Sequence, residues 1–191
     1  MIERLLKVTT GESIYIYDDI FGPDELFSFK SFAEKSNYKV LADTVSAHDF
    51  NDNTLFRCFF VNSDIDNFGI FNSPRFTPIY EKHFKERKNV INWIVVSNPG
   101  TKNYFHPDGT RIDLKSDVVT ILFYINLKWD INGGGETLFC NSEGEVEIAV
   151  SFKPNRMVVF PSYLLHKAST QDIDMKELRY VLVSKWARID C

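Results

Sequence analysis

The chain has 191 residues, 44% of them hydrophobic and 15% aromatic with 17 phenylalanines, which excludes a disordered protein and suffices to bury a sizeable core. A formal charge of -4 and a pI near 5.6 disfavour a broad surface for nucleic acid or anionic membrane. Cys58, Cys140 and Cys191 are widely spaced and form no CxxC pair, so neither a disulfide framework nor a structural zinc site is suggested. The opening MIERLLKVTTGES lacks a signal-like apolar core and no run reaches the length of a membrane span, so a soluble cytoplasmic protein is expected.

In chain order, Ser13 to Tyr17 alternates like a short strand, and Gly22-Pro23-Asp24 opens a helix with Leu26, Phe29, Phe32 and Ala33 at helical spacing. Asn51 to Asn53 marks a loop before Leu55 to Val61, an aromatic run of strand character. A second helix is expected from Pro78 to Lys88, burying Ile79 and Phe84. From Asn89 onward, short strands alternate with turn residues, as in a β-sandwich, jelly roll or barrel. The strands fall near Val90–Ser97, Asn103–His106, Val118–Asn126, Glu136–Cys140, Val146–Ser151, Arg156–Phe160, Leu165–Ser169 and Arg179–Trp186. Asn98-Pro99-Gly100, Asn132 to Gly135, Ser142-Glu143-Gly144 and Lys153-Pro154-Asn155 supply the turns between them. The expected organisation is a strand and helix extension over residues 1–88, packed on a β core over 89–191 in one compact domain.

His106-Pro107-Asp108 is the sharpest local feature, because residues two apart on an extended chain point to the same side and can share one metal ion. Pro107 restricts His106 to extended angles and removes a ladder donor, which places the pair at a strand end. A turn with a polar rim would carry the same triplet. His166 in SYLLHKAS, on a strand well downstream, supplies a third ligand or is a satisfied core histidine. Two histidines and a carboxylate leave three octahedral positions open, the arrangement suited to non-haem Fe(II). Zinc would more often have a fourth ligand or a paired general base, and no HExxH motif is present.

The landmarks YFHPD, FYINLKWD, GGGETLF, FKPNRMVVFPS, LLHKAS and RYVLVSKW stand in this order from Trp93 to Trp186, and together they resemble the 2-oxoglutarate/Fe(II)-dependent oxygenase superfamily, its prolyl 4-hydroxylase-like branch in particular. The resemblance implies a double-stranded β-helix, a jelly roll of cupin-like type, mainly β with flanking helices. It implies that His106, Asp108 and His166 bind Fe(II), that Arg179 grips the distal carboxylate of 2-oxoglutarate and that Tyr124 hydrogen-bonds the same carboxylate. A dianion inside a barrel needs a buried cation, and guanidinium can grip carboxylate with two parallel bonds. Arg179 lies thirteen positions after His166, farther than the usual family spacing, which leaves Lys176 as an alternative cation. Arg179 could instead pair with Glu136 or Glu177, and Tyr124 could be a packing residue bonded elsewhere.

As implied by this resemblance, Fe(II), 2-oxoglutarate and O2 would support hydroxylation of a C–H bond, with release of succinate and CO2. A prolyl residue of a peptide or protein is the expected substrate class, with a small molecule as the alternative. Arg57, Tyr104, Arg111 and the Gly109–Ser116 loop are candidates for substrate contact. Two other classes compete: a cupin-like metal-dependent isomerase or hydrolase, and a non-catalytic jelly-roll binding module. Neither nucleic acid nor membrane is an expected partner.

Overall fold

The central strands have apolar residues on both faces, and the fold follows from the two cores this demands. A computed structural model describes residues 2–40, 55–60, 69, 71, 73–108 and 117–188. Among these, the strands are β1 Ile2–Lys7, β2 Ser13–Asp18, β3 Lys39–Val40, β4 Leu55–Phe60, β5 Arg87–Ser97, β6 Val118–Tyr124, β7 Thr137–Cys140, β8 Val146–Val150, β9 Arg156–Pro161, β10 His166–Ala168 and β11 Arg179–Arg188. The helices are α1 Pro23–Lys35 and α2 Thr77–His83.

Eight strands form one sheet in the order β1-β2-β9-β6-β11-β5-β4-β3, and the short sheet β10-β7-β8 faces it. All pairs are antiparallel. The outer face of the large sheet presents Ile94, Ile121, Phe123, Met157 and Leu182 to Leu26, Phe29 and Ala33 of α1 and to Ile79 of α2. The inner face presents Trp93, Leu122, Tyr124, Val158, Phe160, Val181 and Val183 to Phe139 and Val150 of the small sheet. This is the jelly-roll architecture expected from the strand pattern. The N-terminal strands belong to the large sheet, since Tyr15 to Asp18 pairs with Val159 to Arg156. Among the described residues, no helix is long and apolar enough to cross a membrane.

The start of α1 combines Pro23 in the first turn with Glu25, whose carboxylate accepts the Gly22 N–H at 2.7 Å. The second helix ends earlier than its periodicity implies. It stops at His83, Phe84 is buried just beyond it, and Arg87 already begins β5. Asn103–His106 is not a strand either: only His106 pairs, through an isolated bridge to His166. Likewise Ser162–Leu165 is a turn with Leu164 tucked into the inner core, and β10 begins at His166. Gly109–Ser116, Arg111 and Asn51–Asn53 lie outside the described residues, as does the side chain of Arg57.

Candidate metal centre and co-substrate pocket

His106 and His166 are directly opposed. Each donates its backbone N–H to the carbonyl of the other at 3.1 Å. Residues that exchange both bonds in an antiparallel bridge project their side chains to the same side, and the two imidazoles stand 4.8 Å apart between centroids. Asp108, two residues on, is held by its own N–H donating to Ser162 O at 2.8 Å. One ligand atom from each of His106, Asp108 and His166 lies within 4.8 Å of the others, so the group could hold a single metal ion.

The tautomers suit that role. Nδ1 of His106 is 2.8 Å from Tyr104 O, and Nδ1 of His166 is 2.9 Å from Leu164 O. A carbonyl accepts only, so each Nδ1 carries the proton and each Nε2 keeps its lone pair for a ligand. Oδ2 of Asp108 lies 3.5 Å from His166 Nε2, buried and without a hydrogen-bond partner. An orphaned buried carboxylate oxygen is costly, and a cation between it and the two Nε2 atoms would satisfy it.

Charge states agree with the geometry. Burial alone would raise the Asp108 carboxyl, but His166, Lys185 and His106 around it hold it below its ordinary value. Burial holds His166 below the ordinary histidine value. Ionised carboxylate and neutral imidazole are the forms that ligate metal. Phe160 packs edge-on against His166 at 4.7 Å and Phe139 lies 5.9 Å away, so an apolar wall fixes the ring.

Arg179 opens the inner face of β11 and is 5% exposed, deep enough that an anionic partner is required or the charge is costly. Its Nε donates to Gly135 O at 3.0 Å, and its guanidinium lies over the rings of Phe152 (4.9 Å) and Tyr124 (5.6 Å). Among the described residues, no carboxylate forms an ion pair with it. Glu177 pairs with Lys128, and Glu136 accepts from Ser169. Burial lowers the Arg179 pKa to about 10, which still leaves it cationic at neutral pH. Lys176 is exposed. Tyr124 is fully buried, stacked on Phe152, with its hydroxyl 2.7 Å from Thr137 Oγ1. It packs in the core with its hydroxyl bonded to Thr137, the alternative considered from sequence, and its ring lies beneath the Arg179 guanidinium. Burial raises its pKa, so the phenol is protonated and can donate to an anion.

Sequence reading overlooked Lys185, whose Nζ donates to Asp108 O and lies 3.7 Å from Asp108 Oδ1. Strand parity was the available signal, because 179, 181, 183 and 185 share one face. Thr137 also reaches the pocket, through the hydrogen bond between its hydroxyl and that of Tyr124.

A jelly roll with two histidines and a carboxylate on its inner face defines the class of non-haem iron oxygenases. The family model of the 2OG-Fe(II) oxygenase superfamily matches residues 80–188, and the chain belongs to that superfamily. It is an oxygenase that uses Fe(II) and 2-oxoglutarate. Among curated proteins, no sequence relative matches it. Solved structures share the fold. A prolyl-4-hydroxylase of Pseudomonas putida superimposes with a TM-score of 0.67 at 15% identity, covering 93% of each chain. HygX of Streptomyces hygroscopicus, with nickel and 2-oxoglutarate bound, gives 0.69 at 10% identity, covering 92% of this chain and 82% of its own. The viral collagen prolyl hydroxylase of Paramecium Bursaria Chlorella virus-1 gives 0.62 at 15% identity, covering 97% and 95%.

Proposed function

We propose that the protein hydroxylates a C–H bond of a prolyl residue in a peptide or protein, consuming 2-oxoglutarate and O2 and releasing succinate and CO2. In this reading Fe(II) is held by Nε2 of His106, Nε2 of His166 and Oδ2 of Asp108. The observation that carries it is the buried, unpartnered Asp108 Oδ2 facing two histidines whose Nδ1 atoms are both engaged by carbonyls. The iron, when bound, supplies the oxidising chemistry that the protein side chains lack.

The remaining work falls to the chain itself. Arg179 offers its guanidinium to the distal carboxylate of 2-oxoglutarate, and the phenol of Tyr124 adds a second donor, shared with Thr137. Phe139, Phe152 and Phe160 keep the pocket apolar, which strengthens those charge-assisted bonds. No protein general base is required. Residues 1–88 act as an extension whose strands join the large sheet of the 89–191 catalytic core, within one compact domain. The buried, reduced Cys140 suits a cytoplasmic setting.

An exposed aromatic side chain near the metal cluster supports a peptide substrate. Phe59 of β4 is 59% exposed and pairs in register with Trp93 of β5, whose ring lies 6.0 Å away. Lys185, which reaches Asp108, lies over the same buried Trp93 ring at 5.0 Å, so the exposed Phe59 connects through that ring to the metal cluster. A prolyl hydroxylase of Trichoplax adhaerens in complex with a hypoxia inducible factor peptide fragment and the viral collagen prolyl hydroxylase share the fold, as does an epimerase, SnoN. The experiment is aerobic incubation with Fe(II), 2-oxoglutarate and a panel of proline-containing peptides. Equimolar succinate and peptide 16 Da heavier, a mass fixed by one added oxygen atom and so about 16 Da, is the expected result. Succinate formation stimulated only by small metabolites would reject the prolyl reading and leave the oxygenase intact.

A further inference from the structure

The inner face of β11 carries two cations in opposite situations. Arg179 has no carboxylate partner among the described residues, whereas Lys185, six residues along and only 18% exposed in its side chain, is committed to Asp108. The register between β11 and β5 shifts between Lys185 and Trp186. Such a bulge bends a strand locally and re-aims a side chain. Here the Lys185 ammonium ends beside the Asp108 carbonyl and Oδ1, with the Trp93 ring beneath it. The two oxygens of Asp108 therefore have different surroundings. Oδ1 faces an ammonium, and Oδ2 faces His166 Nε2 and has no hydrogen-bond partner.

We propose that Lys185 is a positioning residue that restricts Asp108 to binding the metal through one oxygen. This inference rests on the assignment of His106, Asp108 and His166 as the ligands. A carboxylate can bind metal through one oxygen or both. Two imidazoles and one carboxylate oxygen leave three of six positions, enough for two donor atoms of 2-oxoglutarate and one further small molecule. If Asp108 used both oxygens, that last position would be lost. An ammonium 3.7 Å from Oδ1 opposes this, because it attracts that oxygen and repels a cation approaching from the same side. Its hydrogen bond to the Asp108 carbonyl anchors the ammonium to the backbone, so a carboxylate that swung Oδ1 away would lose the charge contact. A surface salt bridge would give no such control, since exposed pairs are weak and mobile. This pair is enclosed by Trp93 and by the buried Asp108 carboxylate.

The test is to load wild type, Lys185→Met, Lys185→Gln and Lys185→Arg with Mn(II) and 2-oxoglutarate, and to count metal-bound water by the broadening of the Mn(II) paramagnetic resonance in 17O-enriched water. Near-ultraviolet circular dichroism reports which variants fold. Wild type and Lys185→Arg are expected to keep a water on the metal, while Lys185→Met and Lys185→Gln bind Mn(II) and 2-oxoglutarate but lose it. A folded Lys185→Met or Lys185→Gln variant with the wild-type water count overturns the proposal. Failure of wild type to bind Mn(II), or binding that survives His106→Ala, is a separate outcome that overturns the ligand assignment and this inference with it.

Discussion

Arg179 packs directly against Gly135, a residue with φ of +78°, and donates its Nε–H to that glycine's carbonyl at 3.0 Å. A Cβ at position 135 would come within 3.2 Å of Arg179 Cδ and of the Trp129 ring. The glycine is therefore required twice, for the left-handed backbone and for the close approach of the arginine. Gly135→Ala is expected to destabilise the fold by about 1 kcal/mol or more from the backbone alone. It should also displace the guanidinium, raising the KM for 2-oxoglutarate while Fe(II) affinity is retained. Steady-state kinetics at varied 2-oxoglutarate, beside a denaturant titration, check both parts.

Arg179 and Lys176 are separated by a simple comparison. Arg179→Gln removes a charged donor from a buried carboxylate site, worth about 1.5–3 kcal/mol, so the 2-oxoglutarate Kd should rise roughly 10- to 100-fold. Lys176→Ala changes an exposed side chain and should alter that Kd by no more than about twofold. Calorimetric titration of the metal-loaded protein distinguishes them, and the opposite ranking would move the anchor to Lys176.

Phe160 links stability to the metal centre. It is 1% exposed and stands edge-on to both Phe139 (4.9 Å) and His166 (4.7 Å). Phe160→Ala is expected to cost about 3–5 kcal/mol in denaturant unfolding. The loosened His166 ring should also reduce the extra stability that added metal confers, since that gain falls as the Kd for the metal rises. Equal stabilisation by metal in variant and wild type would show that the aromatic wall does not position His166.

His83 predicts an acid sensitivity away from the centre. Burial, then the charge of Lys82, lowers its pKa from 6.5 to about 4, and its Nε2 lies 2.7 Å from the Tyr17 hydroxyl. A depressed histidine binds its proton in the unfolded chain first. Stability from the neutral ring is thus complete above pH 6.5 and is lost as pH falls toward 4. With solvent screening of a half-buried group, the loss is about 1–2 kcal/mol. His83→Gln should flatten stability over that window, as measured by denaturant midpoints at a series of pH values.

Much of the jelly roll was legible because strands such as VVTILFY and RYVLVSKW are β-rich runs bounded by Gly, Pro and Asn turns. What failed was local. Asn103–His106 has strand character, yet only the bridge at His106 gives it a partner. The periodicity of Pro78–Lys88 ran past His83 because Phe84 is buried just beyond the helix, although Arg87 already pairs with Arg188. β1 was overlooked because IERLLK carries no clean alternation, and its pairing with β2 supplies the stability that propensity does not. At the site, the spacing of His106 and Asp108 and the resemblance around His166 singled out the residues that the fold brings together. Lys185 was not singled out, since its role depends on an ion pair 77 residues away in sequence.

In the proposed function, His106, Asp108 and His166 hold an iron to which 2-oxoglutarate binds, with Arg179 as its anchor. The most direct measurement is an anaerobic titration of metal-free protein with Fe(II) and then 2-oxoglutarate, followed by visible absorption. A metal-to-ligand charge-transfer band that vanishes in His106→Ala, and that needs more 2-oxoglutarate in Arg179→Ala, is predicted. Wild-type protein that binds Fe(II) but develops no band with 2-oxoglutarate, or a band undiminished in His106→Ala, would contradict it.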